Sequence, residues 1–125
     1  TLATWNLEHT QCHLLICNGG SCTQLGADDI TESIRDEIQK LDADELIHTS
    51  RTQCNGRCSD ACVVIAYPEG VWYKDITPES GKELVQKHLQ GQRLDSHMVY
   101  HFDQTFIPTG TAVKGISKTK KTDSR

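Results

Sequence analysis

The sequence predicts one α/β (α+β) domain, a central sheet with two helices in the order β-α-β-β-β-α. Two observations carry that prediction. Short apolar runs stop at turn residues in HLLIC-NGG and in ACVVIAY-PEG-VWYKDI, and two other segments repeat apolar residues at helical spacing. A length of 125 residues with 36% hydrophobic content is enough for one modest core and too short for a multidomain enzyme.

Taken in order, His13 to Cys17 reads as a buried strand that ends in the turn Asn18-Gly19-Gly20. Ile30, Ile34, Ile38 and Leu41 then form one apolar stripe of a helix, with Asp29 and Glu32 as its capping pair. Glu45 to Thr52 is a second strand. Ala61 to Tyr67 and Val71 to Ile76 flank Pro68-Glu69-Gly70 and read as a hairpin. Thr77-Pro78-Glu79 supplies an N-cap, a proline at the first helical position and an acid in the first turn. Leu84, Val85, His88 and Leu89 give that helix its apolar face, and Gly91 ends it. Beyond Gly91 the apolar residues are scattered, and Leu94, Met98, Tyr100 and Phe102 are expected to dock back on the domain. The expected organisation is therefore an N-terminal extension over 1–12, a folded domain over 13–107 and a basic, disordered tail over 108–125.

The net charge of −4 hides an asymmetry. Residues 114–125 carry five basic side chains against Asp123, whereas residues 1–113 carry 8 basic against 16 acidic, a net of −8. An acidic body disfavours nucleic acid as a partner and favours a protein partner with a basic docking surface. No run approaches the ~18 apolar residues of a membrane span, so no membrane partner is expected. Thr1 to Thr10 show no basic segment followed by an apolar run, and the expectation is a cytoplasmic protein.

Six cysteines are the anomaly. In a reducing compartment such clusters more often bind metal than form structural bridges. Cys17 and Cys22 form C-x4-C across a loop that leaves a strand, and Cys54 and Cys58 form C-x3-C just before the hairpin. Two close pairs about thirty residues apart suit a metal site assembled from two loops. Gly19, Gly20 and Gly56 would let backbone N–H groups turn toward sulfur, and such bonds stabilise the added charge of a reduced iron–sulfur cluster. Four thiolates also suit structural zinc, although zinc loops favour C-x2-C knuckles. His97 and His101 in HMVYH stand four apart, but their segment is not convincingly helical, and they read as separate surface histidines. No Ser-His-Asp order, glycine-rich phosphate loop or paired-carboxylate site emerges, so nothing points to an enzyme.

These motifs carry a resemblance. LLIC-NGGS-C, Gly26-Ala27 before the first helix, and CNGRCSDAC-VVIAYPEGVWYKDITPE resemble the thioredoxin-like 2Fe-2S ferredoxins. That family includes the small subunit of respiratory and hydrogenase-linked NADH dehydrogenases, and typically shows C-x-G-x-C-x-x-A-P, a hairpin and a Thr-Pro capped helix. The resemblance spans about residues 13 to 100. It implies a thioredoxin-like sheet with two helices and a 2Fe-2S cluster, with Cys17 and Cys22 holding one iron and Cys54 and Cys58 the other. Cys62 stands where the family usually has proline and reads as a half-buried strand thiol; Cys12 lies upstream of the motif, and both read as bystanders.

The function so implied is a one-electron carrier, a ferredoxin. Arg57, between two ligands, is a cation that with the loop N–H groups would raise the reduction potential, whereas the acidic body would lower it. The alternatives are a cluster-bearing adaptor, a cluster donor in a metal or tetrapyrrole (cobalamin-type) pathway, and a structural zinc domain. Relatives often dimerise, and Val71 and Trp72 of the hairpin would serve either a homodimer interface or the core.

Overall fold

The computed structural model describes residues 4–119. Lys120, Lys121 and Arg125 of the basic tail lie outside the described residues, as do Thr1 to Ala3. Strands β1 (Cys12–Cys17), β2 (Ile47–Thr52), β3 (Val64–Tyr67), β4 (Val71–Tyr73), β5 (Met98–Asp103) and β6 (Thr105–Pro108) form one sheet in the order β2-β1-β3-β4-β5-β6. Only β1 and β2 are parallel, with Cys12 opposite Ile47 and Cys17 opposite Thr52; every other pairing is antiparallel. The parallel pair is joined through a helix, as parallel strands require. The expected β-α-β-β-β-α order is present, extended by a short helix and by a terminal strand pair.

Helix α1 (Gly20–Gln24) is one turn long and occupies what reads in the sequence as a loop. Helix α2 (Ala27–Lys40) carries the predicted stripe, with Ile30, Ile34 and Ile38 all buried. Its start differs from expectation. Gly26 is the N-cap at φ +96°, a backbone conformation that side chains resist, while Asp28 and Asp29 sit in the first turn, where carboxylates favour the positive end of the helix. Leu41 lies just past the helix and is exposed.

Helix α3 (Pro78–Leu89) starts as its sequence dictates. Thr77 caps it, the Ser80 backbone N–H donates to Thr77 Oγ1 at 3.1 Å, and the Thr77 backbone N–H donates back to Ser80 Oγ at 2.7 Å. Gly91, at φ +72°, follows the C-terminal turn.

Along β1, Cys12, Leu14 and Ile16 are buried while His13 and Leu15 are only half-buried, the alternation of a sheet with one face on the core. Ile30, Ile34, Ile38, Leu84 and Val85 meet that core from the helices. The helices also touch one another. A Cβ on Gly81 would lie 3.0 Å from Ile34 Cγ1, Ser33 Oγ donates to the Pro78 carbonyl at 2.7 Å, and Gln86 donates to Glu37 at 2.8 Å.

The segment after Gly91 docks back through a strand hairpin. Leu94 and Val99 are buried and Met98 is half-buried, but Phe102 points outward and stacks edge-on with Phe106 at 5.3 Å. Val71 belongs to the core, and Trp72 is half-buried with Phe106 edge-on to it at 6.2 Å. Residues beyond β6 continue along the domain. Thr109 N–H donates to the Val99 carbonyl, and the carbonyls of Thr111 and Val113 accept from Lys74 Nζ at 2.9 Å and Arg57 Nη2 at 2.7 Å.

A candidate metal centre between two cysteine loops

Cys17 ends β1, Cys22 lies within α1, Cys54 follows β2, and Cys58 opens the 3₁₀ turn Cys58–Asp60. The parallel pairing brings these positions together, because Cys17 and Thr52 are register partners at the same sheet end and Asn18 N–H donates to the Thr52 carbonyl at 2.8 Å. All four cysteines line one small cleft with Gly19, Ser21, Asn55, Arg57 and Val63. The two loops touch at Gly19, where an added Cβ would lie 2.8 Å from both Cα and Cβ of Cys54. Gly19 therefore serves a close approach of backbones. Gly20 has open space around it, so a side chain there would meet no neighbour.

Gly56 does what its sequence position suggests. At φ +84° its N–H donates to Cys54 Sγ at 3.3 Å. That bond is the main reason the Cys54 thiol titrates below its ordinary range, with the proton shared toward Cys58 Sγ, 3.4 Å away, as the second reason. The proton-sharing acts oppositely on Cys58, which is raised chiefly by its contact with Cys54, while Ser21 opposes the rise. Cys22, only 2% exposed, is pushed up to about 12, chiefly by burial. The cleft is thus asymmetric, with Cys17 and Cys22 buried and Cys54 and Cys58 exposed. A metal centre bound here would have one buried side and one open side.

The other two cysteines are placed differently. Cys62 is buried and lies outside the cleft lining, but its thiol neighbours those of Cys22 and Cys17, and its Sγ turns to the Cys22 carbonyl at 3.4 Å. Cys12 opens β1 at the opposite strand end from Cys17, about 16 Å away over five residue steps.

Arg57 lies at the rim, but its charge is not free. Its Nε is 2.6 Å from Asp60 Oδ2, a carboxylate only 2% exposed, and its guanidinium carbon sits 5.2 Å from the centre of the Tyr100 ring. With Nη2 bound to the Val113 carbonyl and Nη1 beside Gly115, the side chain is held between the cleft and residues 113–115. Sequence reasoning located Arg57 and missed Asp60. The i, i+3 spacing of the pair was the signal available.

His97 and His101 do not face a shared site. His97 Nδ1 meets the Lys74 carbonyl at 3.1 Å, and the two residues lie on a 3₁₀ turn and on β5. Among the described residues no helix is long and apolar enough to cross a membrane.

The sequence matches the thioredoxin-like 2Fe-2S ferredoxin family over residues 6–89. A Priestia megaterium protein provisionally named a 2Fe-2S ferredoxin is 43% identical over 124 residues, which cover 96% of this chain and 97% of the relative. A 2Fe-2S ferredoxin of Clostridium pasteurianum is 32% identical over 81 residues, 65% of this chain and 79% of that protein. The structure of a thioredoxin-like 2Fe-2S ferredoxin from Aquifex aeolicus superposes with a TM-score of 0.70 at 27% identity, covering 75% of this chain and 94% of that one. The fold, the two cysteine loops and these likenesses agree: the chain belongs to the thioredoxin-like 2Fe-2S ferredoxin family.

Proposed function

We propose that Cys17, Cys22, Cys54 and Cys58 hold the 2Fe-2S cluster of this ferredoxin, and that the chain serves as an iron–sulfur electron carrier without catalysis of its own. One observation carries the ligand assignment: these four thiols, and neither Cys12 nor Cys62, line the cleft where the Cys17–Cys22 loop meets the Cys54–Cys58 loop. The donor set fits the cofactor, since Cys₄ ligation is the ordinary arrangement for 2Fe-2S centres. The bound cluster supplies one-electron exchange between its oxidised and reduced forms.

The chain's own groups tune that exchange. Gly56 N–H donates to a ligand sulfur and so favours added negative charge. Arg57 offsets less than a free cation would, because Asp60 neutralises it. Burial of Cys17 and Cys22 excludes water from one side, while exposure of Cys54 and Cys58 leaves the other side as the route for electrons.

The acidic body, net −8 over residues 1–113, supports a redox partner with a basic docking surface. Clustered cysteines used as metal ligands rather than as structural bridges support a reducing, cytoplasmic setting. A homodimer through the hairpin would rest on exposed Phe102 and Phe106 beside Trp72, since Val71 is buried. The decisive experiment is an absorption and EPR spectrum of anaerobically purified protein before and after reduction, with iron and acid-labile sulfide counted. The expected result is a coloured protein with equal iron and sulfide whose paramagnetic signal appears on one-electron reduction. A colourless protein with one zinc and no sulfide would end this reading.

A further inference from the structure

At the sheet end away from the cysteine cleft, three side chains from three elements converge. Cys12 opens β1, Glu69 lies in the turn between β3 and β4, and His88 lies in the last turn of α3. Glu69 Oε2 is 3.0 Å from His88 Nδ1 and 3.9 Å from Cys12 Sγ, and the three donor atoms all lie within 4.8 Å of one another. Zinc bonds of about 2.0–2.3 Å at tetrahedral angles separate neighbouring donors by roughly 3.3–3.7 Å. Both measured pairs are thus within a few tenths of an ångström of that spacing. We propose that Cys12, Glu69 and His88 form a second metal site that takes one divalent cation of zinc type, with water as the fourth ligand.

The surroundings suit a metal ligand. Tyr73 Oη is 2.8 Å from His88 Nε2 and also accepts the Leu94 backbone N–H at 3.3 Å. A phenol hydroxyl both donates and accepts, so it supports either imidazole tautomer. It donates to Nε2 when Nδ1–H faces Glu69, and accepts from Nε2–H when Nδ1 faces a metal. Such a partner on the far ring nitrogen is a regular accompaniment of metal-bound histidine. Cys12 and the His88 ring are buried, whereas the Glu69 side chain is 36% exposed, which leaves one open side for entry of the ion and for water.

Charge balances as well. A thiolate and a carboxylate neutralise a divalent cation, and on binding the Cys12 thiol releases one proton to solvent as the sulfur–metal bond forms. Without a metal that thiol stays protonated, since burial first and Glu69 second push it up to about 12. The ion would tie β1, the β3–β4 turn and α3 together at the end of the domain that the iron–sulfur ligands do not reach.

The test uses the full chain with its cluster in place, so that the other thiols are occupied. Desalted protein is titrated with zinc chloride in a calorimeter, and zinc and iron are counted after gel filtration. The site predicts one zinc per chain with all iron retained, a higher melting temperature, and at least about tenfold weaker binding in Glu69→Gln and in Cys12→Ser. Glu69→Gln changes a partly exposed side chain, so it stands as the control should Cys12→Ser fold poorly. No zinc retained, zinc bound only as iron is lost, or zinc affinity unchanged in Glu69→Gln would overturn the proposal.

Discussion

Gly19 and Cys54 meet backbone to backbone, so closely that a single methyl group on Gly19 would sit 2.8 Å from the Cys54 Cα. This contact sets how near the loop of Cys17 and Cys22 stands to the loop of Cys54 and Cys58. A side chain there must push the loops apart. Gly19→Ala is expected to cost about 1–3 kcal/mol and to lower iron per chain, whereas Gly20→Ala, with open space around it, keeps full occupancy. Iron analysis beside far-ultraviolet circular dichroism separates loss of cluster from loss of fold.

Cys62, which lies outside the cleft lining, gives a complementary test. Cys62→Ser is expected to keep the visible spectrum of the cluster and to cost about 1 kcal/mol, the scale of altering one buried hydrogen-bonding group. Cys54→Ser and Cys58→Ser should each shift that spectrum, because oxygen would replace sulfur on iron. An unchanged spectrum in either, or cluster loss in Cys62→Ser, would reassign the ligands.

Arg57 and Asp60 form a pair whose halves pull the reduction potential in opposite directions. Asp60→Asn frees the Arg57 charge at the rim of the cleft and is expected to raise the midpoint potential. Arg57→Gln strands a carboxylate that is 2% exposed; it is expected to lower the potential and to destabilise the fold by about 3–5 kcal/mol. Protein-film voltammetry and denaturant unfolding measure the two effects, and shifts of the same sign would refute the pairing as the cause.

Gly70 holds the hairpin turn at φ +73°, and a Cβ there would meet Phe102 Cβ at 2.7 Å. Strain and collision act together, so Gly70→Ala is expected to lose roughly 2 kcal/mol of stability. The loss should concentrate in β5 and β6. Hydrogen exchange that is faster in those strands than in β1 would show it, and uniform exchange would contradict it.

Docking of the acidic body on a basic partner, as proposed, would be sensitive to salt. The second-order rate of electron transfer to a basic acceptor protein is expected to fall several-fold as ionic strength rises from about 0.01 to 0.15 M, when the screening length shrinks from about 30 to 8 Å. Stopped-flow reduction measures it, and a rate indifferent to salt would exclude electrostatic docking.

The sequence alone determined the local elements. The Ile30-Ile34-Ile38 stripe, the Thr77-Pro78 start, the two strands around Pro68-Glu69-Gly70 and the paired cysteine loops are signals written within a few residues of one another, where periodicity and turn chemistry act. Tertiary structure decided what depends on distant partners. Residues 98–108 lack a decisive pattern of their own and become strands because β4 offers an open edge to β5, and β5 then pairs with β6. Arg57 loses its free charge to Asp60, and Cys12 is parted from Cys17 by the length of a strand only to meet Glu69 and His88, residues 57 and 76 positions away. Charge pairing and donor geometry are through-space quantities, fixed only once the sheet register and helix packing bring distant side chains within a few ångströms.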